Sequence, residues 1–191
     1  MNHADFFGIY DNALSEDFCQ KVIKKFEDDE RKDKGRLGGW EQNDGINTKV
    51  KDTTELVLDN TKADWKPEFD VVVASLKEHL ATYVEPFKQA INVPIAPELF
   101  KVTRYDVGGK FTMHSDNIGG STEVTRIITA LWYLNDVEEG GETDYPWQNQ
   151  LIKPQQGRLL LCPVGWPFIH QGRPPISGSK YIIITQLHQQ V

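Results

Sequence analysis

The sequence predicts a mainly β protein, in which a jelly-roll core is braced by N-terminal helices. Three observations support this prediction. Apolar residues recur at helical spacing only in the first half of the 191-residue chain. From Glu98 onward the pattern changes to short runs of β-branched and aromatic residues separated by Gly and Pro. No helical segment lies between these runs, which is typical of an antiparallel sandwich or barrel.

Two helices are predicted in the first half. Ser15 suits the N-cap of the first helix, because Glu16 and Asp17 follow it and carboxylates are favourable at the N-terminal end of the helix dipole. The second helix is predicted around Pro67 to Gln89, again with apolar residues at helical spacing. The apolar face of the first helix comprises Phe18, Val22, Ile23 and Phe26.

The stretch between the helices, RKDKGRLGGWEQNDGINTKVKD, is rich in Gly and charge and has little periodicity. A segment of this length without periodicity is typical of a disordered excursion or of a functional loop, and both interpretations stay open. Trp40 favours a loop that closes over a site, since a Trp gains little by remaining solvated. This segment is therefore the candidate lid.

The second half contains five strand-like segments. The segments LFKVTRYD and KFTMHSD flank Gly108–Gly109 and predict a hairpin. The runs RIITALWYLND, GRLLLCP and KYIIITQLH follow, each ending near Gly, Pro or a polar residue. The length suits one core but not two, so we expect a single domain over residues 1–191. Its helical brace is expected over about 1–97 and its β core over about 98–191.

Composition and charge restrict the class of protein. A net charge of -7 argues against nucleic acid as the main partner, because phosphate binding needs a basic face. No apolar run approaches the roughly 20 residues needed to span a bilayer, and the start lacks the pattern of a secretory signal. Cys19 and Cys162 match no metal or redox spacing, so two reduced thiols are expected. We therefore expect a cytoplasmic protein without a membrane partner.

Three side chains in the second half could share a metal ion. His114 and Asp116 lie two residues apart in FTMHSDN, and residues two apart on a strand point to the same side. His170 follows another apolar strand. Two His and one carboxylate form the facial triad of non-haem Fe(II) sites, which leaves positions open for oxygen chemistry. The H-x-D pattern alone also arises by chance, as a polar pair on the surface.

Lys180 strengthens the metal hypothesis. It opens the last strand, ten residues after His170, and shares one face of KYIIITQ with Ile182, Ile184 and Gln186. A lysine on an apolar face favours an anionic ligand inside the barrel, because a buried cation is costly unless paired. The alternative is a lysine at a strand end that extends its ammonium into water.

The segments RYDVGGKFTMHSDN, RIITALWYLNDVEEGGET and IHQGRPPISGSKYI together resemble the prolyl 4-hydroxylase-like, Fe(II)- and 2-oxoglutarate-dependent dioxygenases. The resemblance covers residues 101–184 and implies a double-stranded β-helix as the catalytic core. By position it implies an iron site and a cosubstrate site. The implied iron ligands are His114, Asp116 and His170, and the residues implied to bind the distal carboxylate of 2-oxoglutarate are Lys180, Tyr105 and Thr129.

The resemblance also implies an activity, which is hydroxylation of a C–H bond with Fe(II) as cofactor and 2-oxoglutarate and O2 as cosubstrates. Ascorbate is expected to support turnover. The leading expectation is prolyl 4-hydroxylation in a proline-rich peptide or protein. Alternatives are hydroxylation of another residue or a free amino acid, a Zn or Mn enzyme without a cosubstrate, and a silent jelly-roll module that binds a peptide or sugar.

Two departures from the family pattern concern the substrate. Gln186 stands where the family often has Trp, and Phe111 stands where it often has Tyr. Arg173 is a lower-ranked rival anchor, and Arg126 could contact substrate or pair with Glu142. Four aromatic residues could hold a proline-rich peptide or could pack the ends of the sandwich: Tyr145, Trp147, Trp166 and Phe168.

Overall fold

The computed structural model of the chain describes residues 6–37, 45–58, 61–91, 94–117 and 125–190. Within these ranges the chain forms two α-helices and twelve β-strands arranged in two sheets. The helices are α1 (Glu16–Asp28) and α2 (Lys66–Val84). The strands are β1 (Gly8–Tyr10), β2 (Asp33–Lys34), β3 (Thr54–Leu58), β4 (Ile95–Pro97), β5 (Phe100–Tyr105), β6 (Phe111–His114), β7 (Arg126–Tyr133), β8 (Thr143–Tyr145), β9 (Gln150–Ile152), β10 (Leu159–Pro163), β11 (His170–Gly172) and β12 (Lys180–Gln189).

Both predicted helices are present. The Ser15 hydroxyl accepts a hydrogen bond from the Phe18 N–H at 3.3 Å, which confirms Ser15 as the N-cap of α1. The second helix ends at Val84, earlier than predicted, and continues as a 3₁₀ turn that contains Pro86. Proline has no N–H to donate to the preceding turn, so an α-helix is weakened there. Neither helix in the described ranges is long and apolar enough to cross a membrane.

The two sheets are antiparallel throughout. The larger has the order β1-β10-β7-β12-β5-β3-β2, with β4 also paired to β12, and the smaller has the order β6-β11-β8-β9. Side chains of both sheets pack together in a core that includes Tyr133 and Ile182 from the larger sheet and Tyr145 from the smaller. A second core lies between the larger sheet and the helices, where Phe26 and Val72 pack with Ile183. This arrangement is the predicted jelly roll with helices on its outer face.

The first half of the chain contributes strands as well as helices. Strand β3 pairs with β5 from Thr54↔Arg104 to Leu58↔Phe100, and β1 pairs with β10. The sequence predicted only helices and a loop here, because strands of two to five residues are too short to show a clear period. These strands join the larger sheet, so the expected helical brace over 1–97 also supplies part of one wall of the jelly roll.

The predicted hairpin between β5 and β6 is wrong. Strand β5 pairs with β3 and β12, whereas β6 pairs with β11 in the other sheet. The turn between them contains Gly108, at φ +82°, and Gly109. A Cβ at position 109 would lie 2.8 and 2.9 Å from the carbonyl oxygens of Asp52 and Asp106, so only glycine fits there. The turn therefore passes the chain from one sheet to the other, as a jelly roll requires.

Candidate active site

The three predicted metal ligands converge at one end of the smaller sheet. Ligand atoms of His114, Asp116 and His170 all lie within 4.8 Å of one another. The Nε2 atoms of His114 and His170 lie 3.4 and 3.8 Å from the two carboxylate oxygens of Asp116. Strands β6 and β11 bring the imidazoles together, because His114 and His170 are direct cross-strand partners. The register of these two short strands therefore assembles the site.

Each imidazole is oriented by a backbone carbonyl. The Nδ1 atom of His114 lies 2.8 Å from the Thr112 carbonyl oxygen, and that of His170 lies 3.2 Å from the Phe168 carbonyl oxygen. A carbonyl only accepts, so each Nδ1 must carry the hydrogen, which leaves a lone pair on each Nε2. This is the outer-shell arrangement that fixes the tautomer of metal-binding histidines.

Asp116 lies in the turn after β6, and several contacts hold it in place. The Thr129 hydroxyl donates to Asp116 Oδ2 at 2.6 Å, and Arg126 Nη1 donates to the Asp116 carbonyl oxygen at 3.1 Å. Burial alone would raise the pKa of the Asp116 carboxyl, but His170, His114 and Thr129 outweigh burial and lower that pKa well below its ordinary value. Asp116 is therefore an ionised carboxylate at neutral pH.

The donor set fits Fe(II). Two imidazole nitrogens and one carboxylate are the ligands of the facial triad, and no fourth His, Cys, Asp or Glu completes the cluster among the described residues. A structural zinc site would be closed by a fourth protein ligand. The arrangement can therefore hold a metal ion on one face and leave the opposite face open to small molecules.

Lys180 lies deep in the same cavity. It opens β12 opposite Tyr105, its side chain is only 2% exposed, and its Nζ lies 4.2 Å from the centroid of the Tyr105 ring. The ammonium donates to the Gly141 carbonyl oxygen at 2.9 Å, and burial lowers the pKa of Lys180 to about 7 against an opposing effect of Glu142. In the described part of the chain no carboxylate lies within 4 Å of it. The burial excludes the alternative of a lysine extending into water and fits a site for an anion.

The two predicted hydroxyl contacts differ in their surroundings. Tyr105 is buried and lines the cavity beside Lys180. Thr129 is buried but is absent from the cavity lining, and its hydroxyl donates to Asp116. The predicted contact of Thr129 with 2-oxoglutarate thus stays a prediction, and its observed contact is with a candidate metal ligand.

One cavity between the sheets contains the candidate ligands, Lys180 and several residues that sequence reasoning missed. Thr143 accepts a hydrogen bond from the Tyr133 hydroxyl at 2.7 Å, which leaves the Thr143 hydroxyl hydrogen free to point elsewhere. Thr143 belongs to the GGET motif, and this motif was the feature of the sequence that could have identified it as a site residue. Lys51 and Glu55 fall where no strand was predicted. The lining residues are Lys51, Glu55, Lys101, Thr103, Tyr105, Phe111, His114, Asp116, Leu131, Thr143, His170, Gly172, Lys180, Ile182, Ile184 and Gln186.

The four aromatic residues considered for peptide binding separate into two pairs. Tyr145 is buried and stacks on the His170 ring at 4.7 Å between centroids, and Phe168 supplies the carbonyl that orients His170. Trp147 and Trp166 are 65% and 78% exposed. The first pair therefore supports the metal site, and only the second pair is available to a partner.

The two arginines considered as anchors have other partners. Arg173 pairs with Asp144 at 2.9 Å and does not line the cavity. The Arg126 guanidinium binds both carboxylate oxygens of Glu98 at 2.6 Å, so the considered pair with Glu142 is wrong. Trp40 and the centre of the candidate lid lie outside the described residues.

Comparison with known proteins agrees with this site. The family model described as the 2OG-Fe(II) oxygenase superfamily matches residues 100–188, which include all three candidate ligands and Lys180. The matched residues, 100–188, resemble a 2OG-Fe(II) oxygenase domain, and this part of the chain is called the oxygenase domain below. The oxygenase domain begins with β5 and ends within β12, so it includes the whole smaller sheet.

Relatives of the oxygenase domain confirm the resemblance to prolyl 4-hydroxylases. The chain is 43% identical over 119 residues to probable prolyl 4-hydroxylase 9 of Arabidopsis thaliana, covering 49% of this chain and 41% of that protein. It is 30% identical over 116 residues to the prolyl 4-hydroxylase subunit alpha-1 of Gallus gallus, covering 52% and 22%. The chain spans about half the length of the curated relatives it matches.

Solved structures confirm the fold. A viral collagen prolyl hydroxylase from Paramecium Bursaria Chlorella virus-1, in complex with 2-oxoglutarate, matches with a TM-score of 0.72 at 20% identity over 97% of both chains. A Trichoplax adhaerens prolyl hydroxylase, in complex with a hypoxia-inducible-factor peptide fragment, matches with a TM-score of 0.79 at 18% identity, covering 98% of this chain and 85% of that one. The predicted double-stranded β-helix is thus confirmed.

Proposed function

We propose that this protein is an Fe(II)- and 2-oxoglutarate-dependent dioxygenase that hydroxylates a prolyl residue in a peptide or protein. One observation carries the proposal: the two imidazoles, the carboxylate and the buried ammonium line a single cavity within an oxygenase domain. The relatives named as prolyl 4-hydroxylases support the choice of proline. The Trichoplax adhaerens structure contains a peptide fragment, which supports a peptide substrate.

In this proposal one group of residues binds the metal and another binds the cosubstrate. His114, Asp116 and His170 would hold Fe(II), which when bound supplies the activation of O2. Lys180 binds the distal carboxylate of 2-oxoglutarate, because a carboxylate provides the counter-charge that this buried ammonium lacks. Tyr105 lies beside that ammonium and can add a hydroxyl hydrogen bond.

The cavity walls would protect the reaction from water. Leu131, Ile182 and Ile184 line the cavity, and their side chains offer no hydrogen-bonding groups. An apolar wall strengthens the electrostatic contacts inside a site and excludes side reactions with solvent. Lys180 and the candidate ligands are therefore the main polar groups that would orient the cosubstrate in this part of the cavity.

The remaining parts of the proposal concern the second cosubstrate, ascorbate, the domain organisation and the cellular location. O2 is the second cosubstrate, and ascorbate supports turnover by keeping the iron reduced. We propose that the chain acts as one domain, which the pairing of β3 with β5 and of β1 with β10 supports. A cytoplasmic location is also proposed, and the two free, buried cysteines are in keeping with it.

A free amino acid, or a residue other than proline, is the second candidate substrate. The observation that favours it is the wall near the metal, where Gln186 and Phe111 line the cavity in place of the family's Trp and Tyr. The Phe111 ring stacks on His114 with 3.5 Å between centroids. Both replacements change the surface that meets a substrate and leave the candidate metal ligands intact.

An anaerobic titration with Fe(II) and 2-oxoglutarate tests the proposed chemistry. We expect a weak visible charge-transfer band, which Lys180→Met weakens by raising the dissociation constant of the cosubstrate. Arg173→Met is the matched control, because Arg173 is a cation of the same domain that pairs outside the cavity. Succinate formation with a panel of prolyl peptides and free amino acids then separates the two substrate candidates.

The titration also separates an enzyme from a silent binding module. A module without the chemistry would show no band and would bind its peptide or sugar unchanged after His114→Ala. A metal enzyme without a cosubstrate would lose activity after His114→Ala but not after Lys180→Met. An absence of the band in the wild-type protein with Fe(II) and 2-oxoglutarate present would refute the proposal.

A further inference from the structure

The floor of the cavity has a cation at each end. Lys101, Thr103 and Tyr105 alternate onto the cavity face of β5, and Tyr105 is the cross-strand partner of Lys180. Lys101 lies four residues from Tyr105, which is about 13 Å along a strand. The four C–C bonds of 2-oxoglutarate, each about 1.5 Å, span at most about 6 Å. The backbone positions of the two lysines are therefore about twice as far apart as one molecule of 2-oxoglutarate is long.

The charge of Lys101 is not neutralised by its neighbours. Its nearest carboxylate oxygen belongs to Glu55 at 3.8 Å, and Glu55 is already bound by Lys51 at 2.5 Å. The charged groups acting on Lys101 are two carboxylates, Glu55 and Glu98, and two cations, Lys51 and Arg126, whose charges cancel. The three cations and two carboxylates of this group therefore leave a net charge of +1, and Lys101 has the longest ion-pair contact of the three cations.

Burial adds to the cost of this charge. The side chain of Lys101 is about one third exposed, and burial lowers the pKa of its ammonium. Lys51 differs, because its ammonium also donates to the Arg36 carbonyl oxygen at 3.3 Å and lies over the Phe111 ring. Of the two lysines at this end of the cavity, Lys101 is the one with an ammonium available to a ligand.

A hydroxyl without a partner lies next to Lys101 on the same face. Thr103 is only 2% exposed and lines the cavity, and its Oγ1 has no hydrogen-bond partner among the described residues. A buried hydroxyl left without a partner costs about 1–3 kcal/mol. Together, a weakly paired ammonium and an unpaired hydroxyl provide a donor pair for a carboxylate.

We infer that Lys101 and Thr103 form a subsite for a carboxylate group of the substrate. This inference rests on the proposed function and makes it more specific, since it assigns Lys180 to the cosubstrate and Lys101 to the substrate. The carboxylate has two possible sources, the α-carboxylate of a free amino acid or an acidic side chain next to the target proline in a peptide. Both place one negative charge at the Lys101 end of the cavity.

Binding calorimetry under anaerobic conditions tests this subsite without relying on turnover. The protein is loaded with Fe(II) and 2-oxoglutarate, and two matched pairs of probes are titrated into it. L-proline against L-prolinamide tests an α-carboxylate, and acetyl-Glu-Pro-amide against acetyl-Gln-Pro-amide tests an acidic side chain. In one of the two pairs, we expect the carboxylate member to bind at least tenfold more tightly than its amide.

Variants assign that preference to Lys101. Lys101→Met is expected to remove it, Lys101→Arg to retain it, and Thr103→Val to reduce it in the same pair. Lys77→Met is the control, because Lys77 is exposed on the outer helix α2. The inference is overturned if both pairs bind with equal affinity, if no probe binds, or if the preference survives in Lys101→Met.

The experiment distinguishes failure of this inference from failure of the proposed function. The charge-transfer band of the loaded protein reports the proposed chemistry before any probe is added. A band without a preference for carboxylates would refute the subsite alone. The absence of the band would refute the proposed function, and the subsite with it.

Discussion

Replacing Lys180 with Met should stabilise the metal-free protein near neutral pH while weakening the proposed binding of 2-oxoglutarate. Burial lowers the pKa of Lys180 from 10.5 to about 7. A shift of one pKa unit corresponds to about 1.4 kcal/mol, so the folded state holds this charge at a cost of about 5 kcal/mol. The substitution removes that cost, and it also removes the hydrogen bond to Gly141 and the contact with Tyr105, each worth about 1 kcal/mol. We expect a net gain of about 2–3 kcal/mol.

The pH dependence identifies the cause of the gain. The folded pKa of Lys180 is lower than the unfolded one, so between about pH 7 and 10.5 the unfolded chain binds one more proton. Wild-type stability should therefore rise as pH increases above about 7, and the penalty should be fully present below about pH 7. Lys180→Met should lack this rise, so its stability advantage should shrink as the pH increases, and the two stability curves should cross below about pH 10.

Urea denaturation at pH 7 and 9.5, with and without 2-oxoglutarate, measures these effects. At pH 7 the variant should unfold at a higher urea concentration than the wild type, and 2-oxoglutarate should stabilise only the wild type. Arg173→Met serves as control for the loss of a cation outside the cavity. The reasoning is refuted if Lys180→Met is less stable than the wild type at pH 7, or if wild-type stability does not rise above that pH.

Three further predictions follow from the contacts of single residues. Thr129→Val should weaken metal binding by about 10–100-fold in a competition titration with a chelator, because Asp116 loses the 2.6 Å hydrogen bond that orients it. The affinity for 2-oxoglutarate at saturating metal should change little. Thr143→Val should instead weaken the affinity for 2-oxoglutarate about tenfold and leave the metal affinity unchanged, because Thr143 lines the cavity and Thr129 does not. Equal effects of the two variants on both affinities would contradict these separate roles. Gly109→Ala should lower the free energy of unfolding by more than Gly108→Ala in urea titrations. The added Cβ would meet two carbonyl oxygens at 2.8 and 2.9 Å at position 109, whereas at position 108 it meets no atom within 4 Å and costs only the backbone strain of φ +82°.

The metal site was predictable from sequence because its geometry is mostly local. His114 and Asp116 are two residues apart, and His170 needs only one strand pairing, β6 with β11, to reach them. The alternation of Lys180 with Ile182 along β12 favoured a lysine inside the cavity, and its burial in the structure excludes the alternative of a lysine extending into water. Period and spacing therefore indicated these positions, and the resemblance to a known family strengthened the prediction.

The other end of the cavity was not predictable, because it depends on long-range pairing of short strands. Glu55 reaches the cavity through β3, a five-residue strand whose pairing with β5 has no signal in the local pattern, and Lys51 precedes that strand in an isolated bridge to Phe111. The hairpin error had the same cause, since the local turn at Gly108–Gly109 does not reveal which sheet each strand joins. Sequence patterns defined the chemistry of the site, whereas strand pairing defined the surface that a substrate would meet.

The two halves of the cavity therefore differ in physical design. At the deep end, burial destabilises the charged form of Lys180, which a bound dicarboxylate can stabilise, and this end includes the residues that match the family pattern. At the other end, Lys101 and Glu55 come from the paired strands β5 and β3, and Gln186 stands where the family often has Trp. A change in the second group can alter the substrate without disturbing cosubstrate binding. If the proposed activity holds, substrate specificity should therefore depend on the charges along β3 and β5 more than on the oxygenase motif itself.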